Sequence, residues 1–387
     1  MNLNKTVIVP GQTIGIIGGG QLGRMMAFAA KANGFKVAVL DPAKDSPAGQ
    51  TADYSIIGQY DDLSAVKKLA EVSDVITYEF ENIDANALNW LSDHAYVPQG
   101  TRLLEITQDR IFEKRAIQQA GAEVAPYKEI HQIEDLYKHI NGIGYPAVLK
   151  TARGGYDGKG QLILTGEQDL ANAHGLLDQG ACVLEKWVAF EKELSVIISR
   201  NPQGEAAVFP VGENIHKNNI LYQTIVPARI SQDAARKAIT LATQLAESLD
   251  LTGTLAVEMF LTADNEIYIN ELAPRPHNSG HYTIEACETS QFEQHIKAVC
   301  GWPLGSTELL KPAVMVNILG DEQVGLIGKI SELKDWKIHL YGKQEVKPLR
   351  KMGHVTLLRP TVEEALNEAD LSGIWNTAKE KIGGTSK

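Results

Sequence analysis

A glycine-rich segment between two short apolar runs is the feature that most limits how this chain can fold. The first run, Pro146–Leu149, ends in Lys150, and the second, Leu162–Leu164, follows a loop that carries four glycines, Arg153 and Lys159. Two β-strands joined by such a loop form a hairpin whose backbone N–H groups and cations can close over a polyphosphate. For the loop alone, a flexible hairpin with two solvated cations is the alternative interpretation.

This segment is not the common mononucleotide P-loop. That motif has four residues between its first glycine and a Gly-Lys pair, then Ser or Thr, and then a helix. Here Gly154 stands one residue too close to Gly158-Lys159, and Gly160, Gln161 and a predicted strand follow. The pattern therefore predicts a β-hairpin.

The N-terminal segment predicts a parallel α/β unit. A buried strand at Thr13–Ile17 leads into a G-x-G-x-x-G turn at residues 18–23, and a helix and a second strand, Val37–Leu40, lead to Asp41. Strand, glycine turn, helix, strand and acid favour a dinucleotide site, so an NAD-dependent oxidoreductase is one hypothesis. A turn that binds a simple phosphate at the helix N-terminus is another.

Alternating strand and helix patterns continue through about the first 105 residues, as expected of one doubly wound domain. The strand Val75–Phe80 carries Glu79 at its carboxyl end, where open α/β sheets place ligands, although a solvated strand end has the same pattern. Further predictions are a strand at Tyr96–Val97, a charged helix at Gln108–Ala120 and a helix at Gln168–Leu177.

Composition restricts the class of protein. The chain has 387 residues, 44% of them hydrophobic and 22% charged, which is ordinary for a globular protein with a large core. A formal charge of −11 argues against nucleic-acid binding, which needs a basic face. Three cysteines without metal spacing indicate a reducing compartment, and no apolar run predicts a leader or a membrane span. We therefore expect a cytoplasmic protein.

Two glutamates are predicted to face each other across a second hairpin. Its predicted strands are Leu255–Leu261 and Glu266–Glu271. If the turn consists only of Asp264 and Asn265, Glu258 lies opposite Glu271, with Cβ atoms about 4.5–5.5 Å apart. Like charges so close need a cation between them, and Mg²⁺ takes such oxygen ligands, to which Asn270 can add an amide oxygen. A register shifted by one residue would instead leave both acids as surface charges.

A proline-stiffened polar loop follows the second of these strands. It contains Arg275, His277, Asn278 and Ser279, a combination that can bind a small anion beside a metal site. Without the neighbouring glutamates, a solvated polar loop would be the preferred interpretation.

Taken in order, these motifs resemble the ATP-grasp superfamily. The closer resemblance is to the 5-(carboxyamino)imidazole ribonucleotide synthetases, the ATP-dependent carboxylating enzymes of bacterial and fungal purine synthesis. The matching stretches are GGGQLGRM (18–25), TYEFENI (77–83), QDRIFEK (108–114), KTARGGYDGKGQ (150–161) and INELAPRPHNSGHYTIEAC (269–287).

The resemblance implies an α/β and α+β architecture. It consists of an ATP-grasp fold with an N-terminal Rossmann-like (pre-ATP-grasp) domain and a small, mostly β C-terminal domain. We expect a Rossmann-like domain at 1–108, a small ATP-grasp subdomain with the glycine-rich lid at 109–187, a large subdomain with the metal site at 188–310, and the C-terminal domain at 311–387.

The resemblance also implies an ATP site. Arg110 and Lys150 would contact the phosphates under a lid formed by Gly155, Tyr156, Asp157, Gly158, Lys159, Gly160 and Gln161. Glu185, Lys186, Trp187 and Val188 would line the adenine, Glu193 would bind the ribose, and His216 would lie near the phosphates. Glu258, Glu271 and Asn270 would hold Mg²⁺, with Mn²⁺ as a substitute. Lys159 stands where some relatives have Arg, which keeps the charge but loses bidentate geometry.

Aminoimidazole ribonucleotide is the second implied substrate. Its phosphate would lie near Gly20, Gln21 and Leu22, with Glu79 as a further substrate residue. The residues that close around its sugar and base would be Tyr156, Asp157, Arg275, Lys343, Arg350 and Lys351. Asp157 would accept a proton or orient the amine, Arg275 is a further catalytic candidate, and His277, Asn278 and Ser279 would hold bicarbonate.

The implied reaction is carboxylation of the ribonucleotide with bicarbonate at the expense of ATP, by a homodimer that acts on small molecules and not on nucleic acid or membranes. Three other functions stay open at this point. They are another ATP-grasp ligase, biotin carboxylase-like or formate-using, the NAD-dependent oxidoreductase, and a nucleotide-binding module without catalysis.

Overall fold

The computed structural model describes residues 7–155 and 159–375. Its first unit is a parallel sheet flanked by helices, with strand order β3-β2-β1-β4. The elements are β1 (Thr13–Ile17), α1 (Gln21–Ala32), β2 (Lys36–Asp41), β3 (Tyr54–Ile57), α2 (Leu63–Val72), β4 (Val75–Tyr78), α3 (Ala85–His94) and α4 (Arg102–Thr107). The whole of β1 is buried, which explains its uninterrupted apolar sequence. The predicted α/β unit is confirmed.

Two predictions in this region were wrong. Tyr96 accepts one backbone hydrogen bond from Ile76 (2.9 Å), but the described backbone forms no strand at Tyr96–Val97. The charged helix does not begin at Gln108, because Asp109 caps it by accepting a hydrogen bond from the N–H of Ile111 at 3.0 Å. Helix α4 precedes this cap and was not predicted.

The second unit is a small antiparallel sheet with strand order β5-β8-β6-β7. Its elements are α5 (Arg110–Gln119), β5 (Tyr127–Ile130), α6 (Ile133–Ile143), β6 (Ala147–Thr151), β7 (Gln161–Leu164), α7 (His174–Leu177) and β8 (Cys182–Lys186). Lys150 pairs with Gln161, so the glycine-rich hairpin is confirmed. The predicted helix at Gln168–Leu177 is mostly a 3₁₀ helix, Glu167–Ala173, followed by the single turn α7.

The third unit is a nine-stranded sheet, in which the order is β14-β13-β9-β11-β12-β15-β17-β16 and β10 pairs with β9. Its first elements are β9 (Phe190–Arg200), β10 (Ala206–Val208), β11 (Gly212–Lys217), β12 (Ile220–Val226), α8 (Gln232–Ser248), β13 (Gly253–Thr262), β14 (Ile267–Ala273), α9 (Thr283–Ala286) and α10 (Gln291–Val299). Strand β11 has the polar sequence GENIHK, which carries no strand pattern and was not predicted.

The C-terminal segment continues this large sheet. It contains β15 (Ala313–Leu319), α11 (Glu322–Lys329), β16 (Lys337–Leu340), β17 (Lys351–Leu358) and α12 (Val362–Leu371). Strand β15 pairs with β12 on one side, with Gln223 opposite Val316, and with β17 on the other. The C-terminal segment was expected to be mostly β, and its three strands are hydrogen-bonded into the sheet that carries the two glutamates.

Helix α10 joins the large sheet to the N-terminal unit. Phe292 and Ile296 of α10 pack with Met26 of α1 in one buried cluster, so a single apolar core spans both parts. In residues 7–155 and 159–375, no helix has the length and apolar character needed to cross a bilayer.

Candidate active site

A cleft of about 610 Å³ lies where the three sheets meet, and most of the predicted site residues line it. These are Gly20, Gln21, Leu22, Glu79, Arg110, Lys150, Gly155, Lys159, Gly160, Gln161, Glu185, Lys186, Trp187, Val188, Glu193, His216, Glu258, Asn270, Glu271, Arg275, His277, Asn278 and Lys351. Residues 331 positions apart in the sequence, Gly20 and Lys351, therefore line one cleft.

Among the described residues, three predicted ones are not part of this lining: Ser279, Lys343 and Arg350. Tyr156, Asp157 and Gly158 lie outside the described residues. Ser279 is fully buried and its hydroxyl contacts His277 Nδ1 at 2.9 Å, and its predicted part in holding bicarbonate stays a prediction. Lys343 and Arg350 donate to the backbone carbonyls of Lys351 (2.7 Å) and Glu345 (2.9 Å).

Two lysines share one buried carboxylate at the predicted phosphate end. Lys150 Nζ lies 3.0 Å from Glu185 Oε2, and Lys114 Nζ lies 3.1 Å from Glu185 Oε1. Burial alone would raise the pKa of Glu185, but the two ammonium groups outweigh it and lower the pKa to about 2. The group carries a net positive charge, which suits a phosphate binding site. Sequence analysis missed Lys114.

Arg110 holds the start of the glycine loop. Its guanidinium donates to the carbonyls of Thr151 (2.8 Å) and Gly155 (3.0 Å). Gly160 closes the loop with φ +70°, in the region that favours glycine, and a Cβ there would overlap Thr151. The described ends of the loop are therefore fixed to α5 and β6.

An aromatic pair lines the cleft beside the segment that leads out of β8. Phe190 and Phe260 stack with ring centroids 4.6 Å apart and planes 8° from parallel. The N–H of Lys186 donates to the carbonyl of Pro126 (2.8 Å), so this N–H is already paired within the small sheet. Glu193 and His216 lie 2.9 Å apart, and this carboxylate outweighs burial and raises the pKa of His216.

The two glutamates lie opposite each other, although the predicted turn was wrong. The turn has three residues, 263–265, with Asn265 in the left-handed region at φ +59°, and this shifts the register by one. A β-bulge at Asn270 shifts it back, so that Glu258 pairs with Glu271. The bulge also lets the consecutive residues Asn270 and Glu271 both line the cleft.

The electrostatics of this pair call for a cation. Burial and the charge of Glu271 raise the pKa of Glu258 to about 8. Burial and the same charge raise the pKa of Glu113 to about 8, while Glu113 accepts a hydrogen bond from the N–H of Leu272 at 2.7 Å. Within the described part of the chain, no three His, Cys, Asp or Glu side chains are arranged to hold a metal. The candidate donor set is therefore two carboxylates and one amide.

His277 stands beside this pair in a defined tautomer. The N–H of Ser279 donates to Nδ1 (3.3 Å), so the neutral ring carries its proton on Nε2, which lies 3.2 Å from Glu258 Oε1. Burial, with the charges of Arg275 and Lys351, lowers the pKa of His277 well below its ordinary value. The ring is therefore neutral at pH 7 and donates toward the carboxylate.

The neighbours of His277 are tied to distant elements. Arg275 Nη2 lies 3.0 Å from Glu81 Oε1, across the boundary with the N-terminal unit. Asn278 and Asn317 of β15 exchange two amide hydrogen bonds, of 3.0 and 2.7 Å. The Asn278 amide thus already has a buried partner, and its predicted role in holding bicarbonate stays a prediction.

The glycine turn of the N-terminal unit already contacts a carboxylate. The N–H groups of Gly20 and Gly23 donate to the two oxygens of Glu79, the second at 2.6 Å. The N–H of Gly19 donates to Asp41 at 2.8 Å. A phosphate could use the N–H of Gly20 only by displacing Glu79, and the phosphate position near Gly20, Gln21 and Leu22 stays a prediction.

Cations of the C-terminal segment lie close to that carboxylate. Burial and the charges of Arg350 and Lys351 lower the pKa of Lys343 to about 8, although Glu79 acts in the opposite direction. Lys351 lines the cleft itself. Lys343, with Arg350 and Lys351 nearby, thus brings positive charge close to Glu79 at the end of β4.

The fold and the cleft together define an ATP-grasp enzyme. A small sheet with a lysine and a glycine hairpin faces a carboxylate pair on a large antiparallel sheet, across a cleft of nucleotide size. The chain matches the ATP-grasp domain over residues 115–292, the ribonucleotide synthetase preATP-grasp domain over 11–108, and the phosphoribosylaminoimidazole carboxylase C-terminal domain over 313–368.

Individual relatives narrow the class. The chain is 58% identical to the N5-carboxyaminoimidazole ribonucleotide synthase of Bacillus subtilis (strain 168) over 367 residues, 95% of this chain and 96% of that protein. A crystal structure of the ADP complex of an N5-carboxyaminoimidazole ribonucleotide synthetase matches with TM-score 0.94 and 59% identity, over 96% of this chain and 99% of that one. The Aspergillus clavatus enzyme in complex with ADP and 5-aminoimidazole ribonucleotide matches with TM-score 0.88 and 33% identity, over 94% and 97%. The chain belongs to the N5-carboxyaminoimidazole ribonucleotide synthase family.

Proposed function

We propose that this chain carboxylates 5-aminoimidazole ribonucleotide with bicarbonate and ATP, yielding 5-(carboxyamino)imidazole ribonucleotide, ADP and phosphate in de novo purine (IMP) biosynthesis. One observation carries the proposal. A single cleft joins the lysines of a phosphate site, a carboxylate pair, and a loop with a neutral histidine beside a cationic C-terminal segment. An NAD enzyme has no use for the carboxylate pair, and in this chain Glu79 occupies the glycine turn.

The proposed reaction has two steps. A bicarbonate oxygen first bonds to the γ-phosphorus of ATP while the bond to the β-phosphate oxygen breaks, which gives carboxyphosphate and ADP. Lys150 and Arg110 would offset the charge of the transferring group. The substrate amine then bonds to the carboxyl carbon, either of carboxyphosphate or of carbon dioxide released from it, phosphate leaves, and the amine loses a proton. Asp157 is our candidate to receive that proton or to orient the amine, and closure of the lid would exclude water.

The residues present fit a magnesium site. Glu258, Glu271 and Asn270 supply hard oxygen donors on one face, and the repulsion that raises the pKa of Glu258 is relieved by a cation. Mg²⁺, or Mn²⁺ in its place, would there add positive charge for the ATP phosphates. We propose that His277 orients bicarbonate next to this site, with Arg275 supplying positive charge.

The ribonucleotide is proposed to lie between Glu79 and the C-terminal cations. A carboxylate repels a phosphate and accepts hydrogen bonds from N–H and O–H groups. We therefore assign the amine or ribose end to Glu79 and the phosphate end to Lys343, Arg350 and Lys351, beside Gln21 and Leu22.

The first experiment measures ADP release with Mg²⁺, ATP and bicarbonate, with and without aminoimidazole ribonucleotide. We expect the rate to rise steeply with the ribonucleotide. Release that ignores the ribonucleotide but responds to another acceptor would instead indicate a biotin carboxylase-like or formate-using ligase. ATP binding without release would indicate a nucleotide-binding module.

Glu79→Gln is expected to raise the KM for aminoimidazole ribonucleotide about 10-fold or more and to leave the KM for ATP within about twofold. One carboxamide cannot accept from both Gly20 and Gly23, so its N–H₂ group would face a backbone donor and the turn would rearrange. Steady-state kinetics on both substrates test this, with exposed Glu71→Gln on α2 as the control. Equal changes in both KM values would contradict the assignment.

The remaining assignments are also proposals. Matches to three separate domain families support the proposed boundaries at residues 108 and 310, and the change from the small sheet to the large one after β8 supports the boundary at 187. A cytoplasmic location fits three cysteines that are buried and unpaired. A homodimer follows from the family resemblance.

A further inference from the structure

A buried side-chain amide holds the backbone of His277. Gln291 Oε1 accepts a hydrogen bond from the His277 N–H at 2.9 Å, and Gln291 Nε2 donates to the His277 carbonyl at 2.7 Å. These are the two bonds that a neighbouring strand would make to one residue. They also fix which end of the amide is oxygen, because the backbone N–H can only donate and the carbonyl can only accept.

Gln291 is itself firmly placed. It is the first residue of α10, is fully buried, and its N–H donates to Thr283 Oγ1 at 2.9 Å. A Cβ on Gly280 would overlap the Gln291 amide, so only glycine allows this close approach. The next residue, Phe292, belongs to the core shared with α1.

These two hydrogen bonds, here called the Gln291 clamp, restrict the His277 ring to one place. With the backbone held by Gln291, the ring spans from Ser279, whose N–H donates to Nδ1, to Glu258, which faces Nε2. A shift of the backbone would move Nε2 away from the carboxylate pair. Displacements of about 1 Å can cost about 100-fold in rate.

We propose that Gln291 is a positioning residue of the carboxylation reaction. It acts through the backbone of His277 and keeps the imidazole where bicarbonate must be held. The inference rests on the role proposed above for His277 and adds a residue that does not itself line the cleft.

The same helix provides a matched control. Gln294 is also fully buried, its Oε1 accepts from the Gly305 N–H at 2.9 Å, and its Nε2 donates to the Gly305 carbonyl at 2.6 Å. Gly305 lies in a loop that does not line the cleft. The two glutamines thus make the same pair of hydrogen bonds to a backbone, Gln291 to His277 in the cleft and Gln294 to Gly305 away from it.

The test compares Gln291→Leu with Gln294→Leu in the full-length chain. Each variant loses two hydrogen bonds to the backbone of one residue, so we expect similar decreases in Tm. Only Gln291→Leu should lower kcat/KM for bicarbonate, by about 10-fold or more, with the KM for ATP within about twofold. Bicarbonate kinetics that are equal in the two variants would overturn the proposal.

Two further measurements keep the result interpretable. If Gln291→Leu fails to fold, Gln291→Glu and Gln294→Glu replace the pair, since glutamate keeps the shape and the acceptor but loses the N–H donor. His277→Ala is measured alongside. A His277→Ala enzyme with normal bicarbonate kinetics would refute the role of His277 itself, whereas a defective one beside a normal Gln291 variant would refute only the role of Gln291.

Discussion

Glu271→Gln is expected to reduce ribonucleotide-dependent ADP release about 10³-fold while leaving the metal-free chain at least as stable as the parent. Activity falls because one of two negatively charged donors is lost where phosphate charge must be balanced. Stability is kept because the substitution removes the like-charge repulsion that raises the pKa of Glu258. A loss of function that accompanies unchanged or increased stability separates a binding role from a structural one.

Glu266→Gln is the control for this prediction. Glu266 lies at the turn end of the same hairpin, is exposed, and pairs with Lys237 at 2.7 Å, so its loss should change neither quantity measurably. ADP release and the thermal midpoint without metal are measured for both variants. Parental activity in Glu271→Gln would eliminate the proposed metal site.

Glu185→Gln is expected to destabilise the chain by about 3–5 kcal/mol, the cost of leaving a buried charge unpaired. The Lys114 and Lys150 ammonium groups would then lack their counter-ion, and the Lys114 side chain is only 2% exposed. Thermal midpoints at pH 7 measure the loss. In the double variant Glu185→Gln/Lys114→Met, part of the stability should return, because one uncompensated charge is gone. No recovery would contradict the assignment of the loss to unpaired charge.

The same substitution has a defined pH signature. The pKa of Glu185 is lowered from an ordinary 4.5 to about 2 in the folded chain. Its stabilisation is therefore complete above about pH 4.5 and is lost as the pH falls toward 2. The difference in thermal midpoint between the parent and Glu185→Gln should be constant from about pH 8 to pH 5. It should become smaller as the pH falls below about 5. A difference that grew on acidification would contradict this pairing.

The hairpin of the two glutamates shows how much of the site local patterns can predict. The sequence predicted both strands, and the assumed register predicted the facing pair, which is present. The predicted two-residue turn was wrong, and the outcome survived because the bulge at Asn270 offset the extra turn residue. A bulge depends on how the whole strand packs and has no signature in a single sequence.

Residues that act through distant partners were the ones missed. Lys114 lies in a charged helix, where lysine is expected outside, and only the fold brings it to Glu185. Asn317 sits within an apolar strand, and its partner Asn278 is 39 residues away. Gln291 begins an ordinary amphipathic helix. One sequence signal could have identified such residues: a polar side chain at a position where the periodicity of the helix or strand predicts burial.

The continuity of the large sheet has a mechanical consequence. Five strand spacings of about 4.8 Å separate β13 from β17, so Glu258 and Lys351 would be about 24 Å apart in a flat sheet. They line the same cleft, and the charge of Lys351 influences the pKa of Glu258. The sheet is therefore strongly curved, and β17, which carries Lys351, forms one side of the resulting trough. Cutting the chain before β15 would leave β12 as an unpaired edge strand, and the sheet would lose the curvature that brings Lys351 to the cleft. The last 75 or so residues therefore cannot be exchanged as an independent domain.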